Sequence, residues 1–170
     1  MTRAPALIPV AFLISCGYHV SGHADLLPKT IHTIAIPAFG NATNQYKVSD
    51  RLSAAITREF ISRTRYRITA DPEHADAILT GAVVNFFSYP TIFDPATGRA
   101  TGVQVFLIMQ VSLRDKATGK ILFNRPSMQV RERYEISVDP KVYFDENETA
   151  MDRLSRDAAR SIVSAILELF

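Results

Sequence analysis

The stretch that decides the fold reads Gly102-Val-Gln-Val-Phe-Leu-Ile-Met-Gln-Val-Ser-Leu-Arg114. Every second residue from Val103 to Leu113 is aliphatic or methionine, whereas the set from Gln104 to Arg114 contains two glutamines, a serine and an arginine. Successive side chains of a strand point to opposite faces, so this period of two predicts a long β-strand with one buried face. An α-helix would scatter the same apolar residues around its circumference.

Turn sequences flank this strand on both sides, as Asp94-Pro-Ala-Thr-Gly-Arg99 and Asp115-Lys-Ala-Thr-Gly-Lys120. Before the first turn, residues 77–89 form a strand candidate that Pro90 ends, and their apolar character on both faces predicts a central place in the sheet. After the second turn, residues 121–134 form a strand whose Pro126 indicates an edge or a bulge. Strands joined by hairpin turns predict antiparallel pairing.

The rest of the chain adds helices and short extended pieces. Residues 31–36 predict a short strand that Pro37 ends, and residues 66–69 predict a brief extended piece. Apolar residues at helical spacing predict amphipathic helices over 48–63 and 145–170. We therefore expect an α+β two-layer sandwich, with a mostly antiparallel four-stranded sheet and two helices packed on one face.

Composition excludes several classes of protein. A length of 170 residues indicates one domain, and 47% hydrophobic with 21% charged residues is ordinary for a globular chain. With 19 basic and 17 acidic residues the net charge is only +2, and no basic stripe is present. A nucleic-acid partner is therefore not expected.

The N-terminus has the features of a processing signal. Arg3 is followed by the apolar stretch Ala4–Ile14. As a helix this stretch would measure about 16 Å, at roughly 1.5 Å per residue, against a bilayer core of about 30 Å. It is too short to span a membrane and fits the apolar region of a signal peptide over residues 1–15.

Cys16 is the single cysteine of the chain and directly follows this region. The sequence Leu13-Ile-Ser-Cys16 resembles the bacterial lipobox, which has an apolar residue three positions before the cysteine and a small one just before it. The resemblance implies a diacylglycerol on the thiol and cleavage before Cys16, and more than one acyl chain anchors a protein stably. Gly17, rather than aspartate, follows the cysteine, which by the same resemblance favours the outer membrane. The alternative is a buried free cysteine, although Gly17-Tyr-His19 makes a poor core strand.

These features divide the chain into a lipoprotein signal peptide over 1–15, a lipidated tether over 16–30 and one α+β domain over 31–170. No signature of an enzyme accompanies them. The four histidines lack metal-ligand spacing on a predicted helix, and the sequence has no glycine-rich phosphate loop and no Gly-x-Ser-x-Gly elbow. We expect no catalytic residues, no metal and no cofactor.

An ordered set of short sequences runs across the predicted mature chain. Its members are Cys16-Gly-Tyr-His19, Leu27-Pro28, Ile34-Ala-Ile-Pro-Ala-Phe39, Asn41-Ala-Thr43, Arg65-Tyr66, Ala75-Asp-Ala77, Leu79, Gly81, Val83, the strand 103–115, Thr118-Gly119 and the helix end 160–170. No single piece is specific, but the ordered set resembles the LptE family of lipopolysaccharide-assembly lipoproteins.

The resemblance implies an α+β plug that sits inside the β-barrel protein LptD, helps it fold and aids lipopolysaccharide insertion into the outer leaflet. It implies a lipid anchor on the periplasmic side of the outer membrane, no catalysis and no cofactor. Basic side chains near the hairpin loop and before the last helix are proposed to contact lipopolysaccharide in this family. The matching positions here are Arg99 and Lys141, and arginine or lysine suits the phosphates of that glycolipid.

Two groups of residues keep two interpretations each. Phe86, Phe87, Tyr89 and Phe93 are core residues, or they face outward against a barrel wall or an acyl chain. The alternating charges of residues 131–135 are a solvated strand end, or a contact to the barrel rim. Two other functions also stay open: an unrelated envelope lipoprotein that acts as a structural or ligand-binding module, and an envelope enzyme with a cleft of paired titrating groups.

Overall fold

Six strands and two helices make up residues 27–136 and 145–168, the part of the chain that the computed structural model describes. In chain order they are β1 (Thr33–Ala35), β2 (Gly40–Asn41), α1 (Tyr46–Arg63), β3 (Arg67–Thr69), β4 (Ala77–Phe93), β5 (Ala100–Asp115), β6 (Ile121–Glu135) and α2 (Asp145–Leu167), with one 3₁₀ turn at Pro72–His74 between β3 and β4.

The sheet is mixed and has the order β3-β1-β4-β5-β6, with β2 also paired to β4. The antiparallel pairing of β4, β5 and β6 confirms the prediction from the hairpin turns. The prediction of a four-stranded, mostly antiparallel sheet is confirmed only in part: the number of strands was wrong, and the sheet is mixed because β1, β2 and β3 all pair in parallel. These strands are two or three residues long, too short for a period of two, and α1 provides the crossover that parallel neighbours need.

β4 continues through Pro90, where the sequence predicted its end. The pairing with β5 shifts register between Pro90 and Ile92 and again before Phe93. Proline lacks the N–H that a regular ladder requires, so an irregular position of this kind accommodates it. The strand therefore reaches the turn at Asp94, and its central position between β1 and β5 agrees with the sequence analysis.

The core lies between one face of the sheet and the two helices. All six inward residues of β5, from Val103 to Leu113, are buried, as the period of two predicts. The apolar stripes of both helices meet this face, so the helices cover one side of the sheet: Val48, Leu52, Ile56 and Phe60 from α1, and Leu154, Ala158, Ile162 and Ile166 from α2. Leu27, which lies in the predicted tether, is also buried in this core.

The two helices run parallel, with their N-termini at the same end of the domain. Near these N-termini the Arg51 guanidinium contacts the carboxylates of Glu148 and Asp152. Near the opposite ends Arg63 donates to the Ser164 hydroxyl at 2.7 Å. This common end is the one to which β4 and β6 run.

Gly81 leaves room for a buried aromatic ring. Phe39 is only 4% exposed, and a Cβ added at Gly81 would overlap its ring and come 2.7 Å from the Gln110 carbonyl oxygen. A side chain at this position has to displace either the ring or the backbone of the central strand pair.

We predict that Gly81→Ala lowers the free energy of unfolding by about 1–3 kcal/mol, because overpacking a filled core forces such shifts. Urea denaturation followed by circular dichroism measures the change. Ala82→Ser on the opposite face of the same strand is the control, with an expected change within about 0.5 kcal/mol. Equal stabilities of the two variants would contradict the close packing of Phe39 on Gly81.

Asp76 joins the starts of two parallel strands. Its carboxylate accepts hydrogen bonds from the backbone N–H groups of His32 at 2.9 Å and Thr33 at 2.8 Å, and its own N–H donates to the Thr33 carbonyl at 2.9 Å. The hydrogen bond from His32, and then that from Thr33, lowers the pKa of Asp76 below its ordinary value of 3.8.

A carboxylate with a lowered folded pKa stabilises the fold above its unfolded pKa and loses that contribution as the pH falls through the folded value. We therefore predict that Asp76→Asn destabilises the protein by about 1 kcal/mol at neutral pH, and that this difference shrinks below pH 3.8. Urea unfolding across the acidic range measures both curves. A constant difference between them would indicate that the charge of Asp76 contributes nothing.

Candidate interaction surface

The face of the sheet opposite the helices is not covered by any element of residues 27–136 and 145–168. We call this surface the open face; it consists of the outward side chains of the three long strands, namely Thr80, Ala82, Asn85, Phe87, Tyr89, Gln104, Phe106, Ile108, Gln110, Ser112, Asn124, Gln129, Arg131 and Arg133. The cross-strand register places these residues side by side. Several are large and apolar, which is unusual for a surface that meets only water.

A β-bulge in β4 decides which aromatic residues reach the open face. The register shifts between Val83, opposite Met109, and Asn85, opposite Ile108, so Val84 is an extra residue. Such an extra residue exchanges the two faces for the rest of a strand. Phe86 therefore packs against the core, whereas Phe87 turns outward. The structure thus divides the aromatic residues between the two interpretations of the sequence.

Three aromatic rings stack on the open face, and we call them the aromatic cluster. Phe87 lies opposite Phe106 on β5, with ring centroids 5.0 Å apart and an interplanar angle of 2°. Tyr89 stacks on the same ring at 5.5 Å and 19°. Phe87 is 39% exposed and Tyr89 46%. The cluster therefore presents a flat aromatic surface that no described element covers.

Further apolar side chains extend the aromatic cluster toward the end of β4. A Cβ added at Gly102 would lie 3.1 Å from the Ile92 side chain, so Ile92 covers that glycine. Ile92 and Phe93 are both exposed, as is the bulge residue Val84. The apolar surface thus runs from the middle of the sheet to its far end, which is the pattern of a partner-binding patch.

Two arginines border the aromatic cluster on β6. Arg131 lies opposite Phe106 and Arg133 opposite Gln104, and neither makes an ion pair with another described residue. Glu132, between them in sequence, points to the opposite face and accepts a 2.8 Å hydrogen bond from Arg153 of α2. The pleat of the strand therefore sorts the alternating charges that the sequence analysis left open. Arg131, Arg133 and Glu135, which lies opposite Gly102, share the open face, whereas Glu132 faces the helix.

Arg99 ends the turn between β4 and β5. The Asp94 side chain accepts hydrogen bonds from the Thr97 hydroxyl and N–H, at 2.8 and 2.7 Å, and from the Ala96 N–H at 3.0 Å. The hydroxyl bond and then the backbone bond of Thr97 lower the pKa of Asp94. This carboxylate therefore holds the turn and stays ionised, and the Arg99 side chain forms no ion pair in the described part of the chain.

The turn between β5 and β6 has the same construction. Gly98 and Gly119 both have a positive φ, of 68° and 70°, a conformation that favours glycine. Each donates its N–H to the carbonyl of the aspartate that opens its turn, at 2.8 and 3.0 Å. Lys120 consequently occupies in the second turn the place that Arg99 has in the first, at the opposite end of the sheet.

The strands β4 and β5 extend beyond the helix layer. A small cavity of about 130 Å³ marks the N-terminal end of the helices, with Lys47, Arg51, Phe86, Ser88 and Glu148 among its lining residues. Residues 90–102 lie past this level, and we call them the hairpin arm. Arg99 is therefore at the tip of a projection rather than on the body of the sandwich.

Other predicted site residues lie outside the described ranges. These are Cys16, Lys141 and the signal peptide over 1–15, so the structure does not test whether Arg99 and Lys141 come together. Within residues 27–136 and 145–168, no three side chains of histidine, cysteine, aspartate or glutamate are arranged to hold a metal ion. Neither α1 nor α2 combines the length and the apolar character that a membrane-crossing helix requires.

These features define an α+β domain with two parallel helices on one face of a mixed sheet and an aromatic surface on the other. The model of the LptE family, described as lipopolysaccharide-assembly, matches residues 31–166. The chain therefore belongs to the LptE family, as the ordered residue pattern predicts. This is a family of non-enzymatic lipoproteins.

Solved structures agree with the fold at low sequence identity. Protein CT253 of Chlamydia trachomatis has a TM-score of 0.56 and 10% identity, over 82% of this chain and 97% of that one. Protein XCC0632 of Xanthomonas campestris has a TM-score of 0.55 and 12% identity, over 84% of this chain and 89% of that one. The PelC dodecamer of Paraburkholderia phytofirmans has a TM-score of 0.50 and 13% identity, over 81% of this chain and 89% of that one. A search of curated proteins finds no match.

Proposed function

We propose that this chain is an outer-membrane lipoprotein of lipopolysaccharide assembly, acylated at Cys16 and held on the periplasmic side. In this proposal it sits inside an LptD-type barrel, helps the barrel to fold and aids the insertion of lipopolysaccharide into the outer leaflet. The observation that carries the proposal is the family match over residues 31–166, which is nearly the whole α+β domain. The proposal includes no catalytic step, no metal and no cofactor.

The open face is the surface that we assign to the barrel. The helices leave it uncovered, and the aromatic cluster gives it large rigid contact residues of the kind enriched at protein interfaces. The interior wall of a large barrel is polar, so Arg131 and Arg133 at the border of the cluster suit it as hydrogen-bond donors. The opposite surface of the domain is the outer side of the two helices, which is mostly polar apart from the exposed Ile61 of α1.

The hairpin arm is the part that we assign to lipopolysaccharide. Its tip carries Arg99, whose guanidinium is exposed, and the fixed turn beneath it limits the positions that Arg99 can take. Arginine binds phosphate oxygens through two parallel hydrogen bonds. Lys141 precedes α2, which begins at the same end of the domain, so a contact of both cations with one glycolipid fits the direction of the chain.

We predict that Phe87→Ser combined with Tyr89→Ser reduces copurification of a coexpressed LptD-type barrel on the order of tenfold, because interface aromatics carry a large share of binding energy. Affinity capture of the mature chain in mild detergent, with quantitative detection of the barrel, measures the effect. The matched control is Ile61→Ser, which removes an exposed apolar residue from the helix layer.

Unchanged capture with both variants would place the barrel contact elsewhere on the domain. If the unmodified chain captures no barrel either, the proposed partner itself is wrong.

We also predict that Arg99→Ala and Lys141→Ala each weaken lipopolysaccharide binding by about 5- to 30-fold, as expected for loss of one charge-assisted contact. Retention of labelled lipopolysaccharide by the immobilised mature chain is the measurement. Lys120→Ala is the control, since it removes a cation from the same position of an equivalent turn at the other end of the sheet. An equal loss with Lys120→Ala would mean that net charge, rather than the hairpin arm, governs the binding.

A further inference from the structure

A cavity of about 380 Å³ opens at the end of the domain opposite the hairpin arm. Its walls come from the segment that precedes β1 and from the connection between α1 and β3. Pro28 and Tyr66 provide apolar surface, while Lys29 and Arg65 provide two basic side chains. Among the residues that the structure describes, no carboxylate lines the cavity, although acidic residues are present elsewhere at this end of the domain.

The cavity is a built part of the fold. Leu27 and Ile31 contribute to its wall and are each only 3% exposed, since they also belong to the core. The Leu27 N–H donates to the Tyr66 hydroxyl at 3.3 Å, and the Ile31 N–H donates to the Pro28 carbonyl at 2.9 Å. The first bond joins the two walls, and the second closes a turn within the wall that precedes β1. Lys29 and Arg65 are exposed and make no ion pair with another described residue.

The position of this cavity relative to Cys16 points to its occupant. Leu27, in the cavity wall, is eleven residues after Cys16. A chain of that length spans at most roughly 40 Å even when fully extended. If Cys16 carries the acyl chains, as the proposed function states, the cavity cannot move further than this from the membrane surface, and its local concentration at the headgroups is high.

We propose that this cavity binds the headgroup of an anionic glycerophospholipid in the membrane that holds the anchor. Lys29 and Arg65 would pair with the phosphate, and Pro28 and Tyr66 would contact the glycerol and the first methylene groups. The inference rests on the proposed acylation of Cys16 for its geometry. It adds a second attachment that sets the orientation of the domain, with the hairpin arm directed away from that leaflet.

Vesicle-bound protein with a site-specific fluorophore tests the proposal. Cys16 is the only cysteine of the chain, so once it is acylated a Thr30→Cys label beside the cavity is unique. Two kinds of vesicle are compared, each with a quencher at the level of the headgroups. The anionic vesicles contain phosphatidylglycerol and phosphatidylcholine, and the neutral vesicles contain phosphatidylcholine alone. An Ala96→Cys label on the hairpin arm serves as the distant reference.

We expect the Thr30 label to be quenched at least about threefold more on the anionic vesicles, since each cation near such a surface adds substantially to attachment. The excess disappears with Lys29→Gln combined with Arg65→Gln and fades in high salt. Lys47→Gln combined with Arg156→Gln removes two cations from the helix layer and should leave the excess quenching unchanged. The label at Ala96 should respond to neither lipid.

Equal quenching on both kinds of vesicle would overturn the proposal, and so would an equal loss with the two double variants. The same holds if free inorganic phosphate abolishes the excess, because the cavity would then be a general anion site. Mass spectrometry of Cys16 separates this inference from the proposed function. If the thiol is bare, the proposed acyl anchor is wrong. Binding of the unacylated chain to anionic and to neutral vesicles then tests the cavity by itself, and binding to the anionic vesicles alone supports headgroup recognition.

Discussion

The pairing register of β4 against β5 is the constraint on which the rest of the molecule depends. Six inward residues of β5 build the floor of the core, and β4 has to match them residue by residue. The extra residue Val84 shifts this match by one position halfway along the strand. As a result Phe86 joins the core, and Phe87 and Tyr89 leave it to stack on Phe106. One inserted residue thus produces both a filled interior and an aromatic exterior.

The same alternation sorts the charges on β6 and connects the sheet to its helix layer. Glu132 turns inward and holds Arg153 of α2, while Arg131 and Arg133 turn to the open face. At the N-terminal ends of the helices, Arg51 joins α1 to α2 through two carboxylates. These ion pairs are partly exposed, so they fix the direction of the helices more than they add stability. Burial of the apolar stripes supplies most of the stabilisation.

The sequence predicted those elements whose hydrophobic pattern extends over many residues. The period of two over 103–113, the two turn sequences and both helical stripes gave the long strands, their antiparallel order and the covering of one face. The three short parallel strands escaped prediction, because two or three residues carry no period and their pairing depends on the path of α1. The outward aromatic residues could not be assigned either, since nothing in Val83-Val84-Asn85 marks a bulge without knowledge of its partner strand. Arg99 was placed by resemblance, and the twin construction of its turn became evident only from the hydrogen bonds.

β6 is an edge strand of the sheet, and within the described part of the chain no strand pairs with its outer side. An edge strand of fifteen residues offers unpaired N–H and C=O groups to any extended peptide, including the same strand of another molecule. Pro126 removes one of those donors, and the charged side chains Arg125, Arg131 and Arg133 discourage close approach of a like strand. The missing donor and the arginine side chains thus make β6 a poor template for pairing with the same strand of another molecule.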